Sequence, residues 1–296
     1  MGATEVVSGV SGSTMAMILG IYNEFVHSLR SFDRHAVKLI GAGEFSQMWH
    51  RINGGFLMSI LLGIVTGLIA LAKITSYFVV SYFIPVSSFF FGVILISGIL
   101  VFRKIKKWRI EIFFGFVAGF VINYGLTILP PFSTPANYLI VFIAGIAAGF
   151  VLLFPGLSSA FILLIIGKYE LIVLSFSDLN AVVISIFFFG GLLGLWMGSR
   201  FIYRMLADYY NTTVALLAGL MLGALNKLWP WRVVFEYTTN GKGDRIPAFD
   251  KSVLPWHYMN LTGKDPQVFQ AILMVALGVF LVVLIEKIAA GLKTKI

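Results

Sequence analysis

Six stretches of this chain are too apolar and too long for an ordinary soluble core. Residues 54–72, 88–102, 110–129, 181–203, 212–228 and 268–286 each carry at most one charged side chain. A bilayer-crossing helix needs about 20 mostly apolar residues, within a usual range of about 17–25. Five of the six reach that range, and 88–102 reaches it by borrowing from Phe78–Pro85. Composition agrees: 59% of residues are hydrophobic, 12% are charged and the mean hydropathy is +0.94. A soluble domain holds about 25% charged residues. The expected fold is therefore an all-α integral membrane protein with about six transmembrane helices. Its 28 Phe and 11 Tyr suit lipid-facing and interfacial surfaces. The net charge of +9 falls between the apolar spans, so it does not read as nucleic-acid binding. With no Cys, the chain has no disulfide, thiolate metal site or cysteine nucleophile. No basic segment precedes the first apolar stretch, so no cleavable signal peptide is expected.

Two further apolar regions do not fit simple crossings. Residues 138–169 are nearly continuous but are interrupted at Pro155-Gly156, and residues 1–22 are a shorter version of the same pattern. Both are expected to be re-entrant hairpins with a Gly/Ser run at the tip. Backbone exposed at such a tip must be buried in protein or line a wet cavity, because lipid cannot hydrogen-bond it. The two tips read alike at an offset of 147: Gly9, Ser11, Gly20 and Tyr22 match Gly156, Ser158, Gly167 and Tyr169. At an offset of 127, Gly63, Gly67, Lys73 and Gly92 match Gly190, Gly194, Arg200 and Gly219. The difference of 20 is expected as an insertion in 27–51, which holds His27, Arg30, Arg34, His35, Lys38 and Arg51. Glycines also recur by chance in a chain with 30 of them, but two consistent offsets and a Lys/Arg match favour duplication. The expected organisation is one membrane domain, 1–296, built as a first repeat, 1–130, and a second, 131–296.

Charge orients the spans. Arg103, Lys104, Lys106, Lys107 and Arg109 place 103–109 in the cytoplasm. Counting outward, 27–51 and the C-terminal Lys287, Lys293 and Lys295 are also cytoplasmic, whereas 130–137 and 229–267 are external. The repeats are then inverted, with two re-entrant hairpins entering from opposite sides, as alternating access requires.

The tips are the candidate site. Ser11, Gly12, Ser13, Thr14, Gly156, Ser158 and Ser159 would offer hydroxyls and free backbone N–H groups to an anion at the membrane centre. Small residues at such positions also serve simply to let helices approach closely. Lys73 and Arg200 match across the repeat and are the candidate cations, whereas Arg204 is read as snorkelling to the interface. Glu5 is an embedded carboxylate, costly and suited either to proton coupling or to pairing with one of these cations.

These residues carry a resemblance. Thr4 to Thr14 with Leu19-Gly20-Ile21-Tyr22, and Phe154 to Ser159 with Gly167-Lys168-Tyr169-Glu170, resemble the two signatures of the bacterial polyprenyl-phosphate transporter family. Gly219 to Gly223 with Lys227 to Trp231 is similar to its later segment. Ser8 stands where the family usually has Pro, and Ser13 and Ser159 stand where it has Gly. The resemblance implies a multi-pass protein of the bacterial cytoplasmic membrane that returns undecaprenyl phosphate to the inner leaflet for cell-wall synthesis. Its partners would be that lipid and the surrounding membrane, with no cofactor beyond a coupling proton or sodium ion. Two rivals stand beside it. A polyprenyl-diphosphate phosphatase would use Ser11 as nucleophile, but His27, His35, His50 and His257 all fall in polar segments away from the tips. A small-anion or ion channel would not need a lateral opening for a lipid.

Overall fold

The computed structural model describes residues 11–105, 109–132, 134–135, 137–239 and 245–293. Glu5 lies outside them. The first elements are four short helices: α1 (Gly12–Ile18), α2 (Tyr22–Arg30), α3 (Arg34–Gly41) and α4 (Phe45–Arg51). Three long ones follow: α5 (Gly54–Ser81), α6 (Phe83–Phe102) and α7 (Ile110–Ile128). Next come α8 (Tyr138–Val151), α9 (Ser159–Ile166), α10 (Tyr169–Ser177), α11 (Ala181–Asp208) and α12 (Tyr210–Gly223), the last extended by a 3-10 turn at Ala224–Asn226. A two-stranded antiparallel hairpin, β1 (Arg232–Thr239) and β2 (Arg245–Ser252), precedes α13 (Pro255–Thr262) and α14 (Val268–Lys293).

The apolar stretches become helices with shifted limits. Among the described residues α6, α7, α11 and α14 are long and apolar enough to cross a membrane, and up to six spans result if two bent pairs are counted. Those pairs are α4 with the first half of α5, bent by 71°, and α9 with α10, bent by 109°. The expected span 212–228 is a 14-residue α12 plus its 3-10 turn. The expected external loop contains the β-hairpin, because Val233, Val234, Phe235 and Tyr237 are β-branched or aromatic residues suited to a pleated surface.

Helices associate through glycine. In lipid no hydrophobic force joins them, so close backbone approach has to do it. A Cβ at Gly119 of α7 would lie 2.1 Å from the Leu216 carbonyl oxygen of α12, and one at Gly219 would lie 2.1 Å from that of Phe116. On α6 and α14 the same exchange joins Gly92 to the Val275 carbonyl and Gly278 to that of Phe89, each at 2.3 Å. On α8 and α11, a Cβ at Gly145 would lie 2.4 Å from the Phe187 carbonyl oxygen and one at Gly194 would lie 2.1 Å from that of Ile146. All three pairs run parallel: Gly115 sits against Thr212, Gly119 against Leu216 and Gly223 against Phe120.

The two offsets reappear in the backbone. α5 and α11 are both 28 residues long, with limits 127 residues apart. Each ends in a break at a tyrosine, Tyr82 (φ −132°, ψ 51°) and Tyr209 (φ −135°, ψ 50°). Gly20 and Gly167, 147 apart, both have φ 71°. Residues 31–53 separate α2 from α5, against 178–180 between α10 and α11, a difference of 20 taken up by α3 and α4. The two tyrosine breaks lie at opposite ends of the bundle. Tyr82 begins α6, which runs to the 103–109 end, and Tyr209 is at that end because Thr212 contacts Gly115 early in α7.

Candidate functional site

The two Gly/Ser tips touch. After α8 the chain turns through 152–158, where Gly156 takes φ +86°. The Gly156 N–H donates to Thr14 Oγ1 (3.0 Å) and Ser11 Oγ (3.3 Å). Ser11 Oγ lies 2.9 Å from Ser13 Oγ and 3.0 Å from Thr14 Oγ1, and it caps α1 by accepting from the Thr14 N–H. On the other tip Ser158 Oγ caps α9 by accepting from the Phe161 N–H. Asn123, in the middle of α7, donates from Nδ2 to the Gly156 (2.9 Å) and Leu220 (2.6 Å) carbonyls. Tyr22 Oη donates to the Leu153 carbonyl at 2.8 Å. A non-helical turn at this depth must find partners for its polar backbone, and these side chains supply them.

The helices leave the contact in opposite directions. α9 returns to the end where α8 began, since the Phe132 N–H donates to the Ile165 carbonyl and Thr134 Oγ1 to that of Ile166. Lys168 Nζ closes the same end by donating to the Thr134 carbonyl. α1 leads instead through Gly20 into α2, at the end that carries α3 and α4. The centre is shut: Ser11, Ser13, Thr14, Ser158 and Asn123 are each at most 2% exposed. An anion can meet these donors only after the tips part.

The structure brings Ser11, Ser13, Thr14 and Gly156 into this one network, with Gly12 buried as the first residue of α1 and Ser158 buried beside them. Ser159 turns the other way and donates to the Ala148 carbonyl, tying α9 to α8. Lys73 lies on α5, and its side chain is outside the described residues. Arg200 departs from expectation. Its guanidinium stacks on Trp196 at 3.8 Å and donates to the Phe32 carbonyl at 3.0 Å, at the α2–α3 end rather than at the tips. α11 itself passes beside the tip turn, with Gly198 against Leu153 and Phe201 against Phe154, so it is the direction of the Arg200 side chain that takes it to Phe32. Among the described residues no imidazole or carboxylate hydrogen-bonds the hydroxyls of Ser11, Ser13, Thr14 or Ser158. No group of three or more His, Asp or Glu among them is placed to hold a metal. Asn123 and Tyr22 were not among the expected site residues. A lone amide inside the apolar run 110–129 was the available signal for the first.

A second cluster of charge ties the β-hairpin to the segment that follows α12. Asp250 of β2 binds Arg232 and Lys227, with Arg232 Nη2 at 3.0 Å and Lys227 Nζ at 3.1 Å from Oδ1. Lys227 also lies 5.4 Å over the Phe161 ring of α9. Burial pushes the Asp250 pKa up, but hydrogen bonds from Arg232 and the two cations outweigh it and hold the carboxyl at about 2. The stabilisation is therefore complete above the ordinary carboxylate pKa of about 4 and is lost as pH falls through about 2. Asp250→Asn leaves Arg232, whose side chain is 4% exposed, without a counter-charge. Removing one partner of a buried pair costs about 3–5 kcal/mol; with Asp250 itself 27% exposed, about 2 kcal/mol is expected. Faster amide exchange over 232–239, with the helices unchanged, is the measurement; unaltered exchange would show that the hairpin is held by other contacts.

A helix broken between α8 and α9, its turn hydrogen-bonded to the start of α1 inside a polytopic helical bundle, is a construction that membrane transporters use; residues 1–10, which would complete the first expected hairpin, lie outside the described residues. The chain belongs to the undecaprenyl phosphate translocase-like (VCA0040-like) family, which it matches over residues 1–246. It is 35% identical to a polyprenyl-phosphate transporter of Vibrio cholerae over 289 residues, covering 98% of this chain and 94% of that one. It is 30% identical to a polyprenyl-phosphate transporter of Staphylococcus aureus over 250 residues, covering 78% and 83%. No solved structure gives a significant match. The chain is thus a multi-pass protein of the bacterial cytoplasmic membrane.

Proposed function

We propose that this protein carries polyprenyl phosphate, undecaprenyl phosphate in the first place, across the cytoplasmic membrane without altering it chemically. The observation that carries the reading is the hydrogen-bonded contact of the two tips, Gly156 N–H to Thr14 and Ser11, in a chain whose relatives are named for this lipid. Parting the tips frees the Gly156 N–H and the hydroxyls of Ser11, Ser13, Thr14 and Ser158 together. A phosphate monoester carries about −1.5 to −2 charges at neutral pH and cannot shed water without such donors. The prenyl tail stays in lipid throughout. We propose further that 1–130 and 131–296 are inverted repeats, with 27–51 and 103–109 in the cytoplasm and 130–137 and 229–267 outside. Matched tyrosine breaks at opposite ends of the bundle support this arrangement. Inverted halves give two equivalent states, one open to each leaflet.

Vesicles containing the purified protein and a fluorescent farnesyl phosphate test the reading. Loss of the lipid from the outer leaflet, above the rate in protein-free vesicles and with no phosphate released, is the expected result. Release of inorganic phosphate from farnesyl diphosphate would establish the phosphatase instead, and ion flux with no lipid movement would establish a channel.

A further inference from the structure

A second cationic site lies away from the tips. A cavity of about 640 Å3 opens where α2, α3, α4 and α11 converge, within the size range of small-molecule sites. His27, Arg30, Asp33, Arg51, Arg200 and Arg204 line it. Four guanidiniums face one carboxylate, a formal excess of +3 with the imidazoles neutral. That carboxylate is already engaged: Asp33 takes Arg51 at 2.6 Å and caps α3 by accepting from the His35 and Ala36 amides. The Arg51 hydrogen bond, with those amides, holds its carboxyl well below the ordinary range, so it remains an anion committed to Arg51. Arg30, Arg200 and Arg204 form no ion pair within 4.0 Å of a carboxylate among the described residues, although Asp33 attracts Arg200 at longer range. Arg30 stacks on Tyr203 at 3.7 Å and Arg200 on Trp196 at 3.8 Å. Stacking fixes a guanidinium by its faces and leaves N–H edges to donate, the geometry that binds phosphate oxygens in pairs.

The walls say where the anion comes from. On α3, His35 and Leu39 line the cavity while Val37 and Ile40 are 66% and 45% exposed. On α4, Gln47 and Arg51 line it while Phe45 and Trp49 are 61% and 42% exposed. α4 turns Gln47 and Arg51 inward and Phe45 and Trp49 outward, and α3 adds Val37 and Ile40 to the exposed side beside Arg34 and Lys38, the mixture that suits helices lying in a membrane interface. The cavity therefore sits at headgroup depth, beside the bilayer.

We propose that this cavity binds a phosphate monoester, presented as the headgroup of a membrane lipid, separately from the tips. The proposal rests on the transport reading for the lipid's identity, but not for the existence of the site. It makes the cavity the station where the phosphate rests on the α3–α4 side of the membrane, before or after passing the tips.

The absence of cysteine permits a local test. Gln47→Cys is placed in the full chain, reconstituted in phosphatidylcholine nanodiscs, and its modification by a soluble maleimide is timed. Farnesyl phosphate is expected to slow the reaction about tenfold, farnesol not at all, and inorganic phosphate only at far higher concentration. Adding Arg30→Gln and Arg204→Gln removes two charge-assisted contacts and is expected to weaken protection about 30-fold or more. Arg30→Lys with Arg204→Lys should restore part of it, which a merely structural role would not predict. Equal protection by inorganic phosphate at the same concentration would overturn the lipid assignment, and no protection by either would overturn the site. Protection without lipid movement in vesicles would leave the site standing and defeat the transport reading. Lipid movement without protection would do the reverse.

Discussion

Gly156→Ala is expected to stop lipid movement and to lower the melting temperature of the purified protein. A side chain at φ +86° costs about 1–2 kcal/mol. The new Cβ would also lie 2.7 Å from the Met221 Cα and 2.8 Å from its nitrogen, both backbone atoms of α12. Overpacking of this kind costs about 1–3 kcal/mol. Neither neighbour can turn aside, so the 152–158 turn must back away from α12. That withdrawal pulls the Gly156 N–H off Thr14 and its carbonyl off Asn123. Translocation below about a tenth of the wild-type rate is expected, equivalent to about 1.4 kcal/mol or more on the limiting step. Wild-type melting and transport together would show that the tip contact is not rigid and that its geometry is not needed.

Gly119→Val is expected to be strongly destabilising to the bundle. Its Cβ would meet the Leu216 carbonyl oxygen at 2.1 Å and the Leu220 nitrogen at 3.0 Å. α7 and α12 would have to separate along much of their length, breaking the Asn123 bond to the Leu220 carbonyl as well. A loss of about 3 kcal/mol or more is expected, since packing is what joins helices in lipid. Gly63→Ala is the control. Nothing lies within 4 Å of its Cβ, and alanine is the better helix former by about 1 kcal/mol. Comparable damage from both substitutions, read as loss of monodisperse protein in detergent, would show that helix approach is not what Gly119 provides.

Much of this architecture was legible in residue order. Apolar length located the spans, and the Gly-x-Ser runs located both tips, because a break in a membrane helix requires small and hydroxyl-bearing residues. The pairing of Gly92 with Gly219 was visible as an offset; that they serve equivalent seams required the carbonyls of Val275 and Phe116 to be seen beside them. Arg200 shows what residue order could not give. Its match to Lys73 was a statement about sequence position, and position does not fix where a long side chain turns: α11 passes the tip turn at Phe154 and Phe201, yet the guanidinium points to Phe32. The basic segment 27–51 was read as a solvated connection. Its two amphipathic helices were hidden because each is under nine residues, too short for periodicity to stand out. Asn123 was passed over because one amide among apolar neighbours leaves no pattern, only an isolated cost.

The glycine seams cross the boundary between the halves. α6 precedes residue 131 and α14 follows it; α7 precedes it and α12 follows it. Each of these two seams therefore joins a helix from one half to a helix from the other, as clasped fingers do. A chain cut in the 130–137 connection would yield two pieces, each presenting bare glycine grooves to lipid, although the second keeps the α8–α11 seam within itself. Such pieces should find each other in the membrane and re-form the whole. In the transport cycle proposed above, the clasped pairs α6–α14 and α7–α12 are expected to move as units.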